Sequence, residues 1–402
     1  MRHYIFSFVC GLLLLSACSN GDGEDSRHPA KRTVIVYMAA ENTLSGSAQS
    51  DINEMIQGVK SISKYDNLIV FVDRASSTEK PFIIHLQDND KQPADTIRKY
   101  EQDFYTSDPE KLKEVLGWVM TNYPANDYGL ILWGHANGWV IMNDVASSRR
   151  AIAVDNGKNI ISDKGLWLEI PSLRTALEAL PHSFKFIFAD CCNMQNIEVA
   201  YELKDVTDYL IASPAGIPGD GAPYDKIIPD LFNYDDVQMY TKTCDDYYAK
   251  TDEENGHLPI SAIRTGQMPQ LAAATKTVLK DIYDTHTDID TDGLIYYYTY
   301  KVSDPNEKTM YDMNDFIRKY AEETDYNNWL NAFNAAVVYK KMSKKWQVQG
   351  TLVFDFDVTE ERFGGVSMFF PLERYEHTLI KYNKGIREMA WYHAVGGSEL
   401  GW

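Results

Sequence analysis

The segment "FKFIFADCCNMQNIEVAYEL", residues 184–203, starts as an apolar run suited to a strand buried on both faces and continues with a helical pattern. A strand leading straight into a helix is half of a crossover unit, and the order recurs in both directions from here. Upstream, "RTVIVYMAA" (32–40) is followed by Ile52, Met55, Ile56 and Val59 at helical spacing. "NLIVFVDRA" (67–75) is followed by an amphipathic stretch with Leu112, Val115, Leu116 and Val119 on one side. "DYGLILWGHANGW" (127–139) precedes the helical "SLRTALEALP", and "DYLIASPAGIPGDGAPY" (208–224) reads as a fifth short strand entering a Gly/Pro loop. Apolar strands alternating with helices, over connections long enough to cross, predict a mostly parallel α/β sheet flanked by helices.

Ligands in such sheets sit beyond the carboxyl ends of the strands. His135 lies at the end of the third strand, and Asp190, Cys191 and Cys192 lie at the end of the fourth. A thiol beside an imidazole is the minimum for nucleophilic catalysis. Taken alone, the pair reads first as a satisfied polar histidine and a small core cysteine; the flanking Gly134 and Gly138 and the strand-end placement of both bring the catalytic reading close to level. Alternation separates the cysteines: with the segment extended, Asp190 and Cys192 point one way and Cys191 the other. A helix starting near Asn193 would also lower the Cys192 thiol pKa.

The chain has 402 residues and a net charge of -19, which argues against nucleic acid and anionic lipid as partners and favours basic ligands. The N-terminus, "MRHYIFSFVCGLLLLSACSN", has a basic residue and an apolar run too short to span a bilayer. Its Leu-Ser-Ala-Cys ending resembles a bacterial lipobox, which implies a signal peptide over 1–17 and lipidation of Cys18. Residues 18–32 read as a flexible tether, whose acidic run also resembles the surface-export signal of Bacteroidetes lipoproteins. The expected location is therefore the outer membrane, facing outward, with membrane contact only through the lipid. Cys191, Cys192 and Cys244 are too few for a disulfide framework.

Beyond Tyr224 the alternation loosens. "QLAAATKTVLKDIYD" and "DYNNWLNAFNAAVVYKKM" (325–342) read as helices, while "GTLVFDFDV" (350–358) and "GGVSMFFPL" (364–372) read as strands. The expected organisation is a core over 33–230 and a helical extension over 231–402 that returns strands to the sheet. "DIDTDG" (Asp288, Asp290, Asp292) opens like a calcium loop, but Thr299 stands where a bidentate Glu is required, so a solvated turn is the better reading. Zinc, phosphate-loop and serine-elbow motifs are absent.

Four segments, "TVIVYMAAENTL…DINEM", "YPANDYGLILWGHANGW", "FIFADCCNMQNIEVAYEL" and "GGVSMFFP", together resemble the clostripain family of cysteine peptidases, in that family's order. The resemblance implies a caspase-like and gingipain-like fold, with His135 as the catalytic histidine and Cys192 as the nucleophile. Cys191 falls on the family's alanine. Ala136 replaces a common glycine whose amide, with that of Cys192, would form the oxyanion hole, and Asn193 replaces an apolar residue. The resemblance implies cleavage after Arg or Lys, with Asp190 and Asp220 as pocket carboxylates and Asp225 as a further candidate; Asp220 reads equally as a turn residue. It also implies self-cleavage at Arg149 or Arg150, and calcium dependence in some members. Because Ala136 and Asn193 depart from the pattern, the alternative is a catalytically impaired surface protein that binds peptide or glycan.

Overall fold

β1 (Ala30–Ala40) supplies the axis of the molecule, and its alternation divides the interior in two. Ile35, Tyr37 and Ala39 enter one apolar core, while Val34, Val36, Met38 and Ala40 enter the other. The computed structural model describes residues 29–140, 152–157, 160–161, 165–251, 258–286, 288–299, 307–377 and 382–402.

In chain order, α1 (Ser47–Gly58) leads to β2 (Asn67–Arg74), the hairpin β3 (Phe82–Leu86) and β4 (Ala94–Lys99), then α2 (Pro109–Asn122) and β5 (Ala125–Trp133). The short pair β6 (Ile152–Asp155) and β7 (Leu166–Leu168) precedes α3 (Ile170–Glu178), β8 (Phe184–Asp190), α4 (Ile197–Glu202) and β9 (Thr207–Ala212). There follow α5 (Tyr224–Leu231), α6 (Asp236–Lys250), β10 (Ile260–Arg264), α7 (Met268–Thr285), β11 (Tyr296–Thr299) and β12 (Lys308–Asp312). Next come α8 (Met313–Tyr320), α9 (Glu323–Ala336), β13 (Val337–Lys341), β14 (Lys345–Gln349), β15 (Leu352–Asp355) and β16 (Ser367–Met368).

Among the described residues the main sheet has nine strands in the order β13-β10-β9-β8-β5-β1-β2-β3-β4. Its centre, β9-β8-β5-β1-β2, is parallel, and both edges are antiparallel. Leu112, Leu173, Ile197 and Leu271 bring α2, α3, α4 and α7 onto one face. Ile52, Ile227 and Met239 bring α1, α5 and α6 onto the other. This is the mixed α/β layering expected for continuous apolar strands.

Strands from the C-terminal half do return to the sheet, but not the expected ones. The helix predicted over 325–342 stops at Ala336, and Val337-Val338-Tyr339 turns into β13, as suits β-branched and aromatic residues. β10, too short and polar to stand out by periodicity, pairs β13 with β9. The runs 350–358 and 364–372 lie elsewhere: β15 forms a hairpin with β14, and β16 pairs with β12. One apolar core takes residues from both halves, Leu130 and Ile187 beside Trp329 and Phe370. No helix among the described residues is long and apolar enough to cross a membrane.

Candidate active site

The carboxyl ends of β5 and β8 open into one cavity of about 470 Å³, lined among others by His135, Ala136, Asp190, Cys192 and Trp133. Alternation in β8 carries through its end: Ile187, Ala189 and Cys191 enter one core, Phe186 and Phe188 the other. Cys191 is 0% exposed and its Sγ donates to the Leu132 carbonyl at 3.2 Å. Burial and the Asp190 charge push its thiol up.

Cys192 is only partly buried and faces the cavity, its Sγ accepting from the Ile217 N–H at 3.4 Å. The expectation of a helix start at Asn193 fails. α4 begins at Ile197 with Asn196 as its N-cap, so no helix dipole lies beside the thiol, and burial pushes the Cys192 pKa up rather than down. A base is therefore needed to make the thiolate. Asn193 has φ 57, a left-handed conformation that asparagine tolerates, and its Nδ2 donates to Pro214 O at 3.0 Å. Its departure from an apolar residue thus has a local backbone reason.

His135 follows Gly134, and its Nε2 lies 2.8 Å from Thr43 Oγ1 in the turn after β1. Its carbonyl accepts from Ala153 N at 3.0 Å, which attaches β6 to the histidine loop. Ala136 forms an isolated bridge with Ile152 and is not among the positive-φ residues, so a side chain there brings no backbone strain. Gly138 has φ +64, and a Cβ there would lie 2.1 Å from Asn196 Oδ1; only glycine lets the loop approach the β8–α4 connection this closely.

The carboxylates divide sharply. Asp190 lies on the cavity and is buried, with Oδ2 accepting from Ala222 N (3.1 Å) and Tyr224 Oη (2.8 Å) and Oδ1 from Tyr247 Oη (2.7 Å). These bonds occupy three of the roughly four lone-pair sites of a carboxylate, so the bidentate arginine fork expected for it is not available. Burial raises the Asp190 pKa, and the hydrogen bonds oppose that rise.

Asp220 is 72% exposed and lies 3.7 Å from Lys250 Nζ, whose ammonium also donates to the Asp220 carbonyl at 2.9 Å. It stands outside the cavity lining, although Gly219 and Gly221 on either side line it. Asp225 lies in the first turn of α5, its Oδ2 3.5 Å from Lys226 Nζ, also outside the lining. The sequence reading missed Asp51 on α1. A Cβ on Gly221 (φ +60) would lie 2.9 Å from Asp190 Oδ2 and 3.1 Å from Asp51 Oδ2, so these two oxygens are within about 6 Å of each other, although Asp51 itself is outside the cavity lining. Trp133 Nε1 donates to Asp51 Oδ2 at 2.6 Å, while burial and the Asp190 charge push Asp51 up to about 7. Asp51 appears in the quoted "DINEM", but nothing local to α1 reveals that its carboxylate meets Asp190.

The C-terminal half supplies another wall. Tyr298 of β11, the end of β14 (Gln347 to Gln349) and the turn after it (Gly350, Thr351) line the cavity, and Gly216 N donates to Gln347 O at 3.0 Å. The Asp288–Gly293 turn does not suit calcium: Lys319 Nζ donates to the carbonyls of Asp290 (2.8 Å) and Asp292 (3.0 Å) and lies 3.4 Å from Asp290 Oδ2, so an ammonium already serves the oxygens. The residues read as a lipidation site, Cys18, and as self-cleavage sites, Arg149 and Arg150, lie outside the described residues.

A sequence profile of the clostripain family matches residues 36–399. Clostripain of Hathewaya histolytica is 32% identical over 227 residues, which take in 49% of this chain and 41% of that protein, less than half its length. A secreted C11 cysteine protease from Bacteroides thetaiotaomicron, solved with an irreversible peptide inhibitor, is similar at TM-score 0.77 and 28% identity, over 92% of this chain and 99% of that one. An inactive zymogen C11 protease from Parabacteroides distasonis is similar at TM-score 0.75 and 25% identity, over 92% and 99% of the two chains.

Proposed function

The chain belongs to the clostripain family of cysteine peptidases, and on that premise we propose that it is an endopeptidase cutting after Arg or Lys, with Cys192 as nucleophile and His135 as base. The observation that carries this reading is one cavity holding the Cys192 thiol, the His135 imidazole and the Asp190 carboxylate. Thr43 Oγ1 lies 2.8 Å from His135 Nε2, and in the tautomer where the hydroxyl accepts from Nε2–H, Nδ1 is the basic nitrogen. The thiol proton passes to the imidazole as sulfur bonds the scissile carbonyl carbon, and the imidazolium then protonates the leaving amine. Water hydrolyses the thioester and restores the thiol. The amides of Cys192 and Ala136 are the oxyanion donors in this reading.

Asp190 and Asp51 supply negative charge for a basic side chain, with Asp220 at the rim. Amide reporters test the preference: rapid turnover is expected for Arg or Lys before the bond and little for neutral residues, with loss on alkylation of Cys192. Absence of turnover in processed protein, together with no selective labelling of Cys192, would instead favour a binding module.

Asp51 adds a pH signature. Its pKa of about 7 leaves it neutral below that pH and charged above it. KM for an Arg reporter should therefore fall as pH rises through about 7, and Asp51→Asn should flatten the profile. A wild-type KM that stays constant across that interval would rule out a contribution of the Asp51 charge to substrate binding.

Self-cleavage at Arg149 or Arg150 belongs to the same proposal, supported by the zymogen state of the Parabacteroides relative. On a denaturing gel, wild type is expected as two fragments and Cys192→Ala as one chain; two intact chains would refute it. The secreted Bacteroides relative and the N-terminal signal pattern support an extracytoplasmic protein, held to the outer membrane through Cys18.

A further inference from the structure

We propose that Glu41, Asp73 and Asp155 form a binding site for one hard divalent cation, calcium, at the carboxyl ends of β1 and β2 and outside the cavity lining. One carboxylate oxygen from each residue lies within 4.8 Å of the other two. Oxygens bound to one calcium at about 2.3–2.6 Å are at most about 5.2 Å apart, so a single ion can reach all three. All three residues are buried, with Asp73 only 2% exposed.

The independent sign of a ligand is Asp73. No donor reaches its buried Oδ2, and the nearby charges acting on it are chiefly the negative ones of Asp155, Asp103 and Glu41, with Lys80 the lesser, opposing influence. An unpaired carboxylate among carboxylates is a costly arrangement in a protein interior unless a cation joins it.

Asp155 is held in place from outside the cluster. Its Oδ2 accepts from Thr106 N (2.5 Å) and Thr106 Oγ1 (2.9 Å), and its Oδ1 from Gly157 N (2.7 Å), the kind of support that orients metal ligands. An all-oxygen carboxylate set selects calcium or magnesium over zinc or copper, and a dry site selects calcium, because magnesium sheds its waters reluctantly.

The site has a route to the histidine. Glu41 is followed by Asn42, whose Nδ2 bonds Ala39 O (2.9 Å) and Val154 O (3.0 Å), and then by Thr43, 2.8 Å from His135 Nε2. Asn156 Nδ2 also bonds the Glu41 carbonyl at 3.1 Å. An ion joining Glu41, Asp73 and Asp155 therefore ties β1, β2 and β6 around the turn that presents Thr43 to the imidazole.

The test is titration calorimetry of chelator-treated full-length protein with calcium, magnesium or zinc chloride, beside thermal unfolding in each. It uses no substrate, so it stands apart from the peptidase reading. Expected are one calcium equivalent bound more tightly than magnesium, a calcium-dependent rise in Tm, and an affinity weakened about tenfold or more in Asp73→Asn, since such sites follow ligand charge. Asp290→Asn, in the acidic turn near Lys319, should leave the affinity unchanged. No calcium binding by wild type, equal binding by Asp73→Asn, or loss of binding in Asp290→Asn alone would overturn the proposal. Should Asp73→Asn not fold, crystals of wild type grown with terbium decide: an anomalous peak among the three carboxylates supports the site, and peaks only elsewhere overturn it.

Discussion

Replacing Cys192 with alanine is expected to lower kcat/KM on an Arg reporter by about 10⁴-fold or more, because loss of a nucleophile leaves only binding and oxyanion stabilisation. Cys191→Ala, one residue away, should stay within a few-fold of wild type. Its Sγ is directed to the Leu132 carbonyl inside the core, and burial holds it as a thiol. Removing it costs about 1 kcal/mol or more of stability through lost packing, visible as a lower Tm. Cys192 faces the cavity, so Cys192→Ala should bind substrate and unfold much like wild type. Parallel kinetics and thermal unfolding of the two variants check both halves. Equal loss of activity in both, with intact folds, would contradict the assignment of roles.

Asp190→Asn is expected to lower kcat/KM for Arg and Lys reporters by about 10²–10³-fold, the range for removing one member of a buried charge pair, chiefly through KM. The amide can preserve the local structure. Its oxygen can accept from Ala222 N and Tyr224 Oη, and its NH₂ can face Tyr247, whose hydroxyl then becomes the acceptor. A reporter with a neutral residue before the cut should change little, which separates lost charge from a damaged pocket. Asp220→Asn should cost only a few-fold, because its carboxylate is exposed and already near Lys250. An Asp220 effect larger than the Asp190 effect would reverse the order of the two carboxylates.

The alternation in "FKFIFAD" shows why part of this site was readable. Period-two geometry is a local property of an extended chain, so it placed Cys191 in one core and kept Asp190 and Cys192 toward the cavity without any long-range information. The helix start was a boundary judgement and moved from Asn193 to Ile197, because the left-handed backbone at Asn193 delays the helical turn. Whether alanine fits where the family has glycine depends on the local backbone, and Ala136 does not adopt positive φ.

By itself the sequence determined the parallel α/β core and the strand ends that carry His135 and Cys192, since apolar periodicity and strand-to-helix order are written within short windows. Only the tertiary structure decided which distant groups meet there. Asp51 comes from α1 to lie beside Asp190, and Thr43 comes from the turn after β1 to reach His135. β10 and β13 join the sheet edge, and the β14–β15 turn walls the cavity. Asp220, flanked by glycines that line the cavity, is itself turned to solvent beside Lys250. These outcomes depend on packing across two cores between residues far apart in the chain, which no local pattern encodes.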